Sequence, residues 1–223
     1  MLARATLRQG GRMEHARVSL LTLDPACAGD VVKYVEHEAR PAIEEIPGSR
    51  GVALLEIPDL AVLMLESFWV SGDAMRESEG AVAPLRKEAA QRGVATVSVE
   101  RHEVASATRP ARPEAGAGVR LTRVDIDPRR VDEAIARYED TALPWLTESD
   151  GFCSQVLLVH RRTGRALTET IWRDRDALAA SRSRAAAIRA DTVAATDAEI
   201  RALEEYRLEF STVPMVWMPK HAD

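Results

Sequence analysis

The chain contains two copies of one pattern. Residues 66–75, ESFWVSGDAM, return at 169–178 as ETIWRDRDAL, with Glu, Trp, Asp and Ala kept at the same spacing. Aligned without a gap, 17–79 and 120–182 share about fifteen identities, where roughly four or five would arise by chance. The matches fall at positions with structural meaning: Asp24-Pro25 with Asp127-Pro128, Pro41 with Pro144, Gly48 with Gly151, and Leu54-Leu55 with Leu157-Leu158. Glu66/Glu169, Trp69/Trp172, Asp73/Asp176, Ala74/Ala177 and Ser78/Ser181 complete the set. A duplicated unit of about 100 residues must fold twice, so any architecture must pair two similar halves.

Each copy has the same order of elements. RVSLLTL (17–23) and VRLTRVDI (119–126) are β-branched-rich and strand-like. Asp-Pro then starts a helix, over about 28–46 and 131–149, with a proline that bends or ends it. A hairpin follows, 51–57 with 61–69 in one copy and 154–160 with 165–172 in the other. Asp73 and Asp176 stand near the start of a second helix, expected over about 73–91 and 175–204. Strands at 94–104 and 206–213 close the units. The order β-α-β-β-α-β is the ferredoxin-like unit, whose sheet has helices on one face only. Its other face must be buried. The expected fold is α+β: two tandem ferredoxin-like units packed sheet to sheet as an intramolecular pseudo-dimeric barrel. The expected boundaries are an extension at 1–16 (with Met13 as the start), halves at 17–104 and 119–213, a Pro/Gly/Ala-rich linker at 105–118 and a tail at 214–223.

Composition limits the function classes. Net charge is −5 and the basic residues are scattered, so a nucleic-acid footprint is not expected. No apolar run approaches the roughly 20 residues of a membrane helix. Cys27 and Cys153 have no CxxC spacing, which points to free thiols in a reducing cytoplasm. Histidines are few and none pairs at i,i+4, so no metal site is expected. No glycine-rich phosphate loop is present.

The passage Glu66-x-x-Trp69-x-x-x-Asp73-Ala74-Met75, with its echo Glu169-x-x-Trp172-x-x-x-Asp176-Ala177-Leu178, resembles the strand-to-helix motif of the dimeric α+β barrel superfamily. Within it the chain is similar to antibiotic biosynthesis monooxygenases, present here as a tandem pair. The resemblance implies oxidation of polycyclic phenols or quinols by O₂ without a cofactor, or haem binding and cleavage. It also implies an Asn from an early strand, this Trp, and a His nine or ten residues after it. Asparagine is absent from the chain, and those later positions hold Ser78 and Glu79, or Ser181 and Arg182. Two functions follow: a cofactor-independent monooxygenase-like enzyme acting on a small aromatic or polyketide-like compound in the barrel interior, or a non-catalytic ligand-binding or structural barrel that lost these groups. Either is compatible with a monomeric pseudo-dimer or a homo-oligomer.

Candidate site residues follow from the difference between the copies. Trp69 and Trp172 are core pillars, ligand walls, or both. Their face carries Leu65 and Ser67 in copy one but Thr168 and Thr170 in copy two. If that face lines the interior, Thr168, Thr170 and Trp172 form its wetter half, joined by Arg123, Asp125 and Gln155. Arg123 and Asp125 also suit a salt bridge. Glu66 and Glu169 lie on the opposite alternation, where an ion pair with a helix arginine is expected. His160 is the candidate proton-transfer group. Trp217, in the tail, could dock on this barrel or another.

Overall fold

A computed structural model describes residues 13–214. The elements alternate twice through one pattern. The first unit holds β1 (His15–Thr22), α1 (Ala28–Tyr34), a π-helical turn (Val35–Ala39), α2 (Arg40–Glu44), β2 (Ser49–Ile57), β3 (Val62–Trp69), α3 (Gly72–Glu77), α4 (Glu79–Gln91) and β4 (Ala95–Thr108). The second holds β5 (Gly118–Asp125), α5 (Val131–Glu148), β6 (Phe152–His160), β7 (Arg165–Trp172), α6 (Arg175–Ala180), α7 (Arg182–Thr196) and β8 (Glu199–Ser211).

Eight strands close into one antiparallel barrel in the order β1-β3-β2-β8-β5-β7-β6-β4. Each unit contributes four consecutive strands, and the seams are β2–β8 and β4–β6. Closure leaves no free sheet edge. Because β1 and β5 sit four steps apart in an antiparallel ring, they run the same way, and equivalent residues face each other across the barrel axis.

The repeated identities explain the local structure. Asp24 and Asp127 accept hydrogen bonds from the amides of Ala26 and Arg129 at the Asp-Pro turns. Gly48 and Gly151 have φ of +87° and +76°, and a Cβ on either would lie 2.7 Å from the Cβ of Ala74 or Ala177. The duplicated Gly and Ala are therefore two sides of one contact, made twice. The caps of α3 and α6 are Ser71 and Asp174, which accept from Ala74 and Ala177. Asp73 and Asp176 sit inside the first turn instead.

Several expected limits shift. The long helix of the first unit widens into the π turn before Pro41, whose ring nitrogen cannot donate. In the second unit, α5 runs through Pro144 to Glu148. β4 continues to Thr108, four residues into the expected linker, because its far half pairs with β6. β8 begins at Glu199, seven residues early, since Asp197 at φ +54° ends α7. The tail and Trp217 lie outside the described residues, as do residues 1–12.

Candidate functional site

The barrel interior is filled. Val18, Leu55, Met64, Phe68, Leu121, Leu158, Leu167, Ile171 and Leu208 are all at most 2% exposed and belong to one cluster. The void beside Arg109 and Glu169 measures only about 10 Å³. The expected interior pocket is corrected on a specific ground: the tryptophan face points outward. Trp69 packs with Ile43, Val52, Met75 and Val82, and Trp172 with Leu146, Phe152 and Leu178, under the helices.

Two equivalent cavities lie there, between sheet and helices. The first-unit cavity, about 50 Å³, is floored by Arg17, Ser19, Leu65 and Ser67, with Val35, Ile43 and Arg86 above. The second, about 60 Å³, has Arg120, Thr122, Thr168 and Thr170 below and Tyr138, Leu146 and Arg189 above. Each pair is separated by the same interval as the sequence repeat. Trp145 replaces Ala42 and packs against Trp172 with ring centroids 5.9 Å apart and planes tilted by 46°. Those two tryptophans also border an open cleft of about 440 Å³ with Asp150, Arg173 and Arg184. The inner cavity of the second unit thus shares its aromatic wall with an outer approach.

The floor of each cavity is anchored by an arginine that the sequence alone did not single out. Arg17 donates to the Met75 carbonyl at 2.5 Å and to Ser78 Oγ at 2.8 Å. Arg120 donates to the Leu178 carbonyl at 2.9 Å and to Ser181 Oγ at 2.8 Å. They are 3% and 4% exposed. Burial pulls Arg17 down to about 10 and lowers Arg120 too. Ser78 and Ser181, nine residues after the tryptophans, therefore each hold an arginine. The signal was available, since Arg17 and Arg120 are the first identity of the repeat.

Around these anchors the charges are exchanged. Glu79 pairs with Arg17, Arg86 and Arg101, and the bond from Arg86 leads in holding its carboxyl at about 2. In the second unit Arg182 stands at that helix position, and the carboxylate moves to the neighbouring strand as Glu205, paired with Arg120 and Arg182. Arg189, the counterpart of Arg86, keeps no ion-pair partner among the described residues, and burial lowers its pKa.

The sequence-predicted residues divide. Trp172, Thr168 and Thr170 converge on the second cavity, with the Trp172 indole donating to Thr170 Oγ1 at 3.2 Å. Gln155 lies beside it, accepting from Tyr138 at 3.2 Å and donating to Ser106. Trp69 donates to Ser67 in the first unit. Arg123 and Asp125 are elsewhere, at a barrel mouth of about 310 Å³. There Arg123 binds Glu100 and Glu204, and Asp125 binds Arg201, so the pair is not made with each other. His160 sits at the β6–β7 turn with Nδ1 2.8 Å from Thr163 Oγ1, away from the other candidates. Glu66 and Glu169 have no helix arginine; both point into the barrel. Among the described residues no group of three or more His, Cys, Asp or Glu is placed to hold a metal ion, and no helix is long and apolar enough to cross a membrane.

These features define a class by fold, that of the ferredoxin-like, antibiotic-biosynthesis-monooxygenase-like barrels. A candidate monooxygenase from Lactobacillus acidophilus NCFM superposes with a TM-score of 0.64 at 9% identity, over 91% of this chain and 97% of that one. An anthrone oxidase-like protein matches at 0.62 and 16%, over 90% and 93%. A heme-binding protein from Thermus thermophilus matches at 0.57 and 12%, over 88% and 91%. No family model matches. Within that class the chain belongs to the family of the Mycobacterium tuberculosis proteins Rv2557 and Rv2558, both uncharacterized. It is 31% identical to Rv2557 over 188 residues, 84% of each chain. To Rv2558 it is 31% identical over 199 residues, 89% of this chain and 84% of the relative.

Proposed function

We propose that the protein binds a small aromatic compound carrying an acidic oxygen in the helix-covered cavity of its second unit. The observation that carries this is the unpaired Arg189 beside Arg120 in a cavity walled by Trp145, Trp172 and Tyr138. An aromatic wall favours a planar ring. A half-buried guanidinium without a carboxylate favours a phenolate or carboxylate. The cleft outside Trp145 is the entrance, and the side chains open it to admit a ring larger than the resting cavity.

Oxygenation by O₂ is the second reading, supported by the likeness to an anthrone oxidase-like protein. In it Arg120 and Arg189 would stabilise the negative charge of a deprotonated phenol. The cavity offers no carboxylate or imidazole to remove that proton, so the compound would enter already ionised. Closing the barrel within one chain supports a monomeric pseudo-dimer. The unpaired cysteines Cys27 and Cys153 suit a reducing cytoplasm.

Titrating an anthrone-type phenol against tryptophan emission tests the binding claim. Saturable quenching is expected, with its midpoint about tenfold higher in Trp145→Ala; an unchanged midpoint in the variant would refute it. Oxygen uptake during the same titration separates turnover from binding, and a haem titration without a Soret shift is expected.

A further inference from the structure

The barrel interior is apolar except along its axis. Glu66 on β3 and Glu169 on β7 hold equivalent places in the two units and are 0% and 3% exposed. Their neighbours on the flanking strands are Val18 and Ala53 for Glu66, and Leu121 and Val156 for Glu169. None of these side chains can hydrogen-bond. Both oxygens of Glu66 and Oε2 of Glu169 lack any hydrogen-bond partner at the present side-chain positions.

The charged and titratable groups that face the pair come from β4, β5, β6 and β8. Arg109, just past β4, donates to Ser211 Oγ at 3.1 Å and to the Val213 carbonyl at 3.2 Å, and it lines the small void with Glu169. Arg123 on β5 is held by Glu100 and Glu204. His102 on β4, Cys153 on β6 and Tyr206 on β8 are buried. Two ionised carboxylates cannot persist in such surroundings, because each loses its hydration and repels the other. A single proton removes both costs. A protonated carboxyl can donate to an ionised one, and the remaining charge would face Arg109.

We propose that Glu66 and Glu169 hold one proton between them, Glu66 donating and Glu169 accepting opposite Arg109, and that this bond is a pH-sensitive latch between the two halves. Burial, and then the charge of Glu169, push Glu66 well above the usual carboxyl range. Burial raises Glu169 as well, while the bond from Glu66 and the charge of Arg109 hold it back. A carboxyl raised on folding gives its full stability below the unfolded value of about 4.3 and loses it as pH climbs through the folded value. Glu66 therefore keeps its proton at low pH, and the latch opens as pH climbs through its folded value. It does not depend on the proposed ligand.

Infrared spectroscopy of the full chain at neutral pH tests the shared proton without any variant: a carboxylic-acid C=O band should be present. Glu66→Gln should remove that band, because its amide donates permanently to Glu169. Melting temperature should fall with rising pH in the wild type, and at least half of the fall should vanish in Glu66→Gln. Ionisation of Tyr34, Tyr138 and Cys153 is common to both proteins and cancels in the comparison. No acid band in the wild type, an undiminished band in Glu66→Gln, or parallel pH profiles would each overturn the proposal.

Discussion

The two helix-side cavities share one anchor and differ in what surrounds it. In the first unit Glu79 gathers Arg17, Arg86 and Arg101. In the second, Glu205 gathers Arg120 and Arg182, and Arg189 is left over. The walls diverge too: Ala42, Val35 and Leu65 become Trp145, Tyr138 and Thr168. Duplication therefore kept the buried arginine–serine bond in both copies, while one cavity is more apolar with its helix arginine paired and the other is aromatic with its helix arginine unpaired. Conserved geometry marks the scaffold here, and divergence marks the site.

The largest expected effect tests what the halves share. Arg17→Ala and Arg120→Ala should each cost about 3 kcal/mol in denaturant unfolding, since each removes a buried guanidinium's bonds to a carbonyl and a serine and leaves a void. A large inequality between them would break the equivalence of the anchors. Next, Trp145→Ala should weaken binding of an anthrone-type phenol about tenfold in calorimetric titration, roughly 1.4 kcal/mol. Introducing Glu79→Arg into the first unit copies the second unit's helix charge and should cost about 1 kcal/mol, mostly regained on adding Arg101→Glu. Absence of any coupling between the two changes would contradict the exchange of charges.

The smallest effect lies at acid pH. A carboxyl held below its unfolded value stabilises above about pH 4.3 and loses that contribution as pH falls through the folded value. Glu79, held at about 2 chiefly by Arg86, belongs to this class. Melting between pH 5 and 2 should therefore fall less steeply in Glu79→Gln than in the wild type.

The fold was legible because its signals are local and duplicated. The Asp-Pro turns, the Gly48/Ala74 and Gly151/Ala177 contacts and the Trp–Asp–Ala passage each occur twice. The inside of the barrel was not legible. Alternation shows that Trp172 and Glu169 face opposite ways, but both rows are apolar enough to be buried, so it does not say which row meets the helices. The surroundings of Glu66 were hidden for a related reason: Glu169 and Arg109, the groups proposed to face it, come from distant parts of the chain. Arg189 was missed because an arginine on a helix is ordinarily solvated; that the nearby carboxylate is taken by Arg120 and Arg182 shows only in the folded chain. Arg123 went to the barrel mouth because its strand position faces the axis, on the row opposite the threonines.

The account rests on the difference between Arg86 and Arg189, and calorimetric titration of an anthrone-type phenol into Arg86→Ala and Arg189→Ala tests it directly. Binding should survive in Arg86→Ala, and in Arg189→Ala it should weaken about tenfold or more. Equal affinity in the two variants would contradict placing the ligand in the second unit.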